Sequence, residues 1–258
     1  MQQKRRALYR TVRVRVQVGF GKGSVSHQPS VALDGYTILP RIAESIPLEE
    51  LRLALTTLLS RGADRGGVRD VLKEPLLRSV ATGALRNLVQ PYLGAAAFAV
   101  RALVFDKTPL ANWKVAWHQD VTVSVTEHRE YPGWGPWSRE AGTWHVRPPA
   151  QVLEGMLTVR LHLDDCGPAN GPVRVIPGSH LAGRLSDAQV DALSRAGTPR
   201  DCVVPIGGVL LMRPLLLHAS APAIAPSHRR VFHVEYAAAD LPDGFLWAER
   251  WGDGVGAV

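Results

Sequence analysis

The residues of this 258-residue chain best suited to chemistry are an imidazole and a carboxylate two positions apart, in Trp117-His118-Gln119-Asp120. They sit in an apolar run, Val115–Val125, that reads as a strand. Positions i and i+2 of a strand project from one face, so both side chains are expected to reach a single metal ion. A second imidazole would complete the two-histidine, one-carboxylate facial triad of non-haem iron(II) oxygenases, with three coordination positions left for cosubstrate and O₂. That ligand must come from a distant strand. His218 fits, because it ends the apolar run Leu215-Leu216-Leu217, which would carry it into a barrel interior.

A lone His-x-acid pattern is a weak signal, and His162-Leu163-Asp164 and His233-Val234-Glu235 satisfy it as well. The surroundings separate them. Eleven positions beyond His218, at the start of an apolar strand, stands Arg229 with Arg230 beside it. Oxoglutarate needs its far carboxylate anchored, and a guanidinium fork does this with two parallel hydrogen bonds. A buried arginine without such a partner would be costly. Arg229 is the expected anchor and Arg230 the alternative, because the phase of the strand is not readable here.

The elements that must position these groups change character along the chain. Pro47-Leu48-Glu49-Glu50 opens a predicted helix, with acids in the first turn and Leu48, Leu51, Leu55, Leu58 and Leu59 at helical spacing. A second helix is expected over 75–90. From about residue 96, short apolar or alternating runs take over: Ala97–Phe105, Val115–Val125, Met156–Leu163, Val173–Ile176, Cys202–Ile206, Val209–Met212 and Val231–Ala237. Turn clusters such as Cys166–Gly171 and Pro205–Gly208 separate them. Many short strands after a helical section predict a mainly β fold, a barrel or jelly roll braced by helices. Residues 127–150, rich in tryptophan and proline, are expected to form a long functional lid.

Net charge is +7, which invites a nucleic-acid reading until the charge is located. Residues 1–30 hold seven of the 30 basic residues and no acid, leaving 23 basic against 23 acidic side chains in the body. The expectation is a flexible basic arm over 1–30, with a possible edge strand at 11–18, followed by a single domain over 31–258, with no nucleic-acid partner. No stretch approaches a membrane span. Without a recognisable secretory signal, and with only Cys166 and Cys202, neither in a metal or redox spacing, the chain is expected to be cytoplasmic.

From about Ala97 to Ala237 the sequence resembles the phytanoyl-CoA dioxygenase family. The resemblance rests on Trp117-His118-Gln119-Asp120, the stretch from Leu161 to Asp165, the long segment Asn170-Gly-Pro-Val-Arg-Val-Ile-Pro-Gly-Ser-His180, and then His218 and Arg229. It implies a cupin-like double-stranded β-helix, iron(II), 2-oxoglutarate and O₂, and an oxygenase of hydroxylase type that releases succinate and CO₂. Carried over by position, His118, Asp120 and His218 are the metal ligands and catalytic centre, and Arg229 binds the cosubstrate. Asp120 favours oxygenation over halogenation, which in related enzymes goes with a small residue at that position. The alternative is a metal- or small-molecule-binding jelly roll without turnover. The substrate is expected to be a small, partly apolar metabolite, with oligomeric state unspecified.

Other residues have two readings. Thr158, Arg160 and His162 share one strand face, which is either the barrel interior or a solvated exterior. Lys114 and Arg101 are either anion-binding groups or rim cations. Trp113, Trp117, Trp134, Trp137 and Trp144 are divided between a substrate wall and core. His180 is read as a turn residue bonded to backbone.

Overall fold

The computed structural model describes residues 29–42, 46–60 and 67–252. The basic arm and the alternating stretch 11–18 lie outside the described residues. Two antiparallel sheets make the frame. In the larger, the order is β1 (Tyr36–Leu39), β11 (Val209–Met212), β8 (Leu157–His162), β13 (Arg229–Ala237), β3 (Phe98–Lys107) and β2 (Gly67–Arg69). In the smaller, it is β10 (Arg200–Cys202), β9 (Val173–Val175), β12 (His218–Ser220) and β4 (Val115–His118). Together they form the expected double-stranded β-helix. A third, three-stranded sheet joins β5 (Val123–Val125), from the run expected as strand, to β7 (Thr143–Val146) and β6 (Trp137–Glu140), which lie within the segment expected to be a lid.

The large sheet has two different faces because β8 and β13 alternate. Leu157, Val159, Leu161, Phe232, Val234 and Tyr236 join one buried cluster with Leu51 and Leu55 of helix α1 (Leu48–Ser60). The same cluster takes Leu77 and Val80 of α2 (Pro75–Val80) and Val89 of α3 (Arg86–Leu93). The second predicted helix is thus real but interrupted. A π turn at Ala81–Leu85 joins α2 to α3, and Tyr236 Oη donates to the Ala81 carbonyl at 2.7 Å across it. The opposite face of β8 carries Thr158, Arg160 and His162, all buried. That face looks into the barrel, so of the two readings for these residues the interior one holds.

The barrel interior is itself divided. At one end Tyr36, Val173, Val175, Cys202, Val204, Leu210 and Met212 fill the space between the sheets. At the other the lining turns polar. A short helix α4 (Ala150–Glu154) leads into β8. A further helix, α5 (Asp187–Ala196), opens on a capping box of Ser186 and Gln189 and buries none of its residues. Cys166 and Cys202 are free and buried. Among the described residues, no helix is long and apolar enough to cross a membrane.

Candidate metal centre and its cavity

His118 is the last residue of β4 and His218 the first of β12, and the antiparallel register sets them directly opposite each other. Asp120 lies just beyond the end of β4 rather than within a continuous strand, because the run 115–125 breaks at residues 119–122. Gln119 makes that break rigid. Its Nε2 donates to the Gly183 and Leu215 carbonyls at 2.9 and 2.6 Å, and its Oε1 accepts from Leu185 N at 2.8 Å. Asp120 N donates to Pro214 O at 2.9 Å. The carboxylate is thereby aimed back at the histidine pair.

His118 Nε2 lies 3.8 Å from Asp120 Oδ1, and His218 Nε2 lies 3.8 Å from Asp120 Oδ2. These gaps are too long for hydrogen bonds. One donor atom from each of the three residues falls within 4.8 Å of the others. Both imidazoles are turned by a backbone carbonyl: His118 Nδ1 donates to Ala116 O and His218 Nδ1 to Leu216 O, each at 2.8 Å. A carbonyl only accepts, so each Nδ1 carries the proton and each Nε2 presents a lone pair to the centre.

The protonation states agree with that geometry. Burial pushes the His218 imidazole down to about 4, with neighbouring Asp120 opposing. Burial works to raise the Asp120 carboxyl, but the charges of His218 and His118 outweigh it and hold the group at about 2. Asp120 Oδ2 is buried without a hydrogen-bond partner. Two neutral nitrogens, one carboxylate and an orphaned oxygen are the donor set that divalent iron takes, so the residues present fit the metal.

The long Asn170–His180 segment supports this centre without touching the metal position. Its strand β9 pairs with β12, placing Val175 opposite His218. Ser179 Oγ accepts from Leu217 N at 2.8 Å, and Ile176 N donates to Leu217 O at 3.0 Å. His180 is a structural turn residue, its Nε2 3.3 Å from Ala32 O. It packs where only a glycine leaves room, since a Cβ on Gly35 would meet its Nδ1 at 2.5 Å.

A cavity of about 510 Å³ opens from the centre. Its lining includes His118, Asp120, His218, Arg160, Arg229 and His233. Arg229 and Arg230 part company here. Arg230 turns to the helical side, where Asp164 Oδ1 and Oδ2 accept from its Nη2 and Nε at 2.6 and 2.8 Å. Asp164 is therefore an ion-pair residue, and the His162-x-Asp164 pattern makes no metal site. Arg229 turns inward and donates to the Gly171 carbonyl, leaving its Nε buried and unpartnered. Beside it, Lys107 Nζ donates to Ser220 Oγ and Ala221 O at 2.9 and 2.7 Å, and burial, with Arg229 adding to it, pushes the amine down to about 8.

His233-x-Glu235 is a second polar unit in the barrel wall rather than a metal pair. Arg160 Nη1 donates to His233 Nδ1 at 2.9 Å, so His233 carries its proton on Nε2, facing Glu235 Oε1 at 3.3 Å. Arg101 closes the chain on Glu235 Oε1 at 2.5 Å. Arg101 is thus neither a free anion-binding group nor a rim cation, and Lys114 is exposed and outside the cavity lining. None of Gln119, Lys107 and Ser220 was singled out from the sequence. The sign available for Lys107 was a cation two positions past the end of a run that reads as core.

The aromatic lid needs correction. Trp134 stacks on Phe245 at 4.0 Å, and His128 sits between Trp137 and Trp144 at 4.5 and 4.9 Å. Of the tryptophans considered for a substrate wall, Trp113 alone lines the cavity. The hairpin β6–β7 instead brings Ser138 and Glu140 to the mouth, where Glu140 pairs with Arg69 at 3.1 Å, and adds the buried His145 to the lining. The mouth is polar, because the rings that would have made it apolar pack against one another.

The profile of the phytanoyl-CoA dioxygenase family matches residues 34–231. The chain belongs to that family. As a phytanoyl-CoA dioxygenase family protein it is by class a non-haem iron, 2-oxoglutarate-dependent dioxygenase. Among solved structures it is similar to EvdMO1, with a TM-score of 0.63 at 18% identity, over 80% of this chain and 48% of that one. The chain therefore spans about half the length of EvdMO1. It is also similar to SnoK, a non-haem α-ketoglutarate-dependent carbocyclase from nogalamycin biosynthesis, with a TM-score of 0.63 at 19% identity, over 81% and 82% of the two chains. EctD from S. alaskensis, solved with 2-oxoglutarate and 5-hydroxyectoine, gives a TM-score of 0.61 at 20% identity, over 81% and 73%. At these identities the likeness is one of fold. No curated protein matches the sequence significantly.

Proposed function

We propose that this family member is a hydroxylase-type oxygenase of a small molecule, with His118, Asp120 and His218 holding iron(II) and Arg229 holding 2-oxoglutarate. The observation that carries the reading is the convergence of three donor atoms within 4.8 Å, with both imidazoles turned metal-ward by carbonyls. Iron with bound oxoglutarate and O₂ would supply oxidative decarboxylation to succinate and CO₂, one oxygen atom of O₂ entering succinate and the other a substrate C–H bond.

The chain's own residues do the rest. His118, Asp120 and His218 occupy one side of the metal position and leave the cavity side free. Arg229 offers its fork to the distal carboxylate of oxoglutarate, with Lys107 and Ser220 alongside. The buried wall of β8 and β13 keeps water from the reacting centre. Substrate enters past Thr122, Ser138 and Glu140, a rim suited to a molecule with several hydrogen-bonding groups.

The test is anaerobic titration of the protein with Fe(II) and 2-oxoglutarate, following the weak charge-transfer band expected at ~500–530 nm for a facial-triad chelate. The band should form in wild type and vanish in His118→Ala and Asp120→Ala. No band on a folded wild-type protein would leave a binding jelly roll instead.

A further inference from the structure

The cavity holds a second cation that the reading above does not use. Arg160 is 8% exposed, and its Nε is buried without a partner. Its one hydrogen bond from Nη1 goes to His233 Nδ1 at 2.9 Å, a neutral acceptor that cancels no charge. The other arginines on the cavity wall behave differently. Arg69 has Glu140 at 3.1 Å and Arg101 has Glu235 at 2.5 Å. Among the described residues, only Arg160 and Arg229 line the cavity with no carboxylate within ion-pair distance.

Unsatisfied atoms collect around these two. Arg160 Nε, Arg229 Nε and Asp120 Oδ2, all on residues that line the cavity, are buried without partners. Native interiors rarely leave such atoms unpaired, so a group of them around one cavity marks a place shaped for a ligand rich in oxygen. Two unneutralised guanidinium groups ask for two negative charges. Burial, with Arg229 adding to it, holds Arg160 below the usual arginine range, and burial does the same for Arg229. They sit at different depths: Arg160 is opposite His233 in the register, and Arg229 is four residues before His233, at the start of β13.

We propose that oxoglutarate is held by both arginines, Arg229 at its distal carboxylate and Arg160 at the carboxylate facing the metal. The inference rests on the oxoglutarate reading and adds a positioning role for Arg160. An unpaired buried cation costs free energy while the site is empty, and a dianion spanning the two forks removes that cost. Recognition then divides between the ends of one molecule. Arg229 reads the presence of a second carboxylate, and Arg160 reads the 2-oxo acid head that every 2-oxo acid shares.

The experiment compares 2-oxoglutarate with 2-oxovalerate, which has the same chain length and lacks the distal carboxylate. Both are titrated anaerobically into the Fe(II)-loaded protein, with the visible band reporting binding rather than turnover. Arg160→Met should weaken both acids about tenfold or more and leave their ratio unchanged. Arg229→Met should weaken 2-oxoglutarate alone and abolish the preference. The metal-free Arg160→Met protein should melt at or above the wild-type temperature, because an uncompensated buried charge has gone; a fall in melting temperature with unchanged acid binding would mark Arg160 as structural and overturn the proposal. Loss of 2-oxoglutarate binding alone would place Arg160 at the distal end and overturn it too. Arg160→Lys, which keeps the charge and loses the fork, provides a second variant and should bind both acids with intermediate affinity. A wild-type protein without any band overturns both readings, whereas a normal wild-type band with unaltered Arg160→Met affinities overturns only this one.

Discussion

His118 and His218 face each other across one antiparallel rung, with ring centroids 4.1 Å apart, and neither ring contacts the other through a hydrogen bond. Two imidazoles tilted at 49° to each other with lone pairs converging are not a stable arrangement for its own sake. The pair is held by the strands on either side and by Gln119, whose three hydrogen bonds tie residues 119, 183, 185 and 215 together.

Gln119→Ala should therefore lower Fe(II) affinity by about 10–100-fold, although Gln119 is not a metal ligand. It should also cost about 1–3 kcal/mol of stability, because the Gly183 and Leu215 carbonyls and the Leu185 amide lose their partner. Chelator competition gives the first number and urea denaturation the second. A stability loss with unchanged metal affinity would mean that the strands alone aim Asp120.

Adjacent arginines should separate cleanly by function. Arg229→Met is expected to weaken oxoglutarate binding at least about 100-fold with little change in melting temperature. Arg230→Met should leave oxoglutarate affinity unchanged while costing about 1–3 kcal/mol, since Asp164 would keep only Arg52, at 3.3 Å, and the Arg230 backbone amide. Isothermal titration and chemical denaturation of the two variants, side by side, decide the matter. Reversed effects would exchange the roles of the two residues.

That pair also shows where sequence reasoning stops. The convergence of His118, Asp120 and His218 was legible because a two-residue spacing and a long distinctive segment pointed the same way. Arg229 and Arg230 differ by one position, and only the register of β13 against β3 and β8 says which faces inward. The same ambiguity covered Thr158, Arg160 and His162, because alternation reveals two faces without saying which is inside. Helix α5 carried its capping box in Ser186 and Gln189 but has no buried residue, so it left no apolar stripe to find. The β6–β7 hairpin turns on Ala141 and Gly142, both at positive φ of 48° and 88°. Alanine is a poor signal for such a turn, and the stretch read as loop. Tryptophans at 134, 137 and 144 announced burial and were silent about what they would be buried against.

The Asp164–Arg230 pair predicts an acid-sensitive step in stability. Burial alone would raise the Asp164 carboxyl, but hydrogen bonds from the Arg230 side chain and backbone overcome it and hold the group below its ordinary value of 3.8. A carboxyl depressed by folding stabilises fully above its unfolded pKa and loses that contribution as pH falls through the folded one. Asp164→Asn should thus be less stable than wild type at neutral pH, with the gap closing below about pH 4. Denaturation at pH 7, 5 and 3.5 would show it, and a gap that stays constant with pH would assign the loss to packing.

Gly171 joins the distinctive segment to the Arg229 end of the cavity, and its replacement tests that link. Its φ is +59°, and a Cβ there would lie 2.5 Å from Ala221 O, 3.2 Å from Ala223 N and 3.3 Å from Pro222 C. All three are backbone atoms of the connection between β12 and β13, which cannot swing aside as a side chain can. The Gly171 carbonyl also accepts from Arg229. Gly171→Ala should accordingly cost about 2–4 kcal/mol and weaken oxoglutarate binding through a displaced Arg229. Gly183→Ala is the control: its φ is +71° and ψ −151°, a glycine-only backbone region, with nothing within 4 Å of the added carbon, so it bears backbone strain alone, about 1–3 kcal/mol. If the two variants lose equal stability and Gly171→Ala binds oxoglutarate normally, the crowding against residues 221–223 is relieved without moving Arg229, and the anchor is set by β13 rather than by the loop.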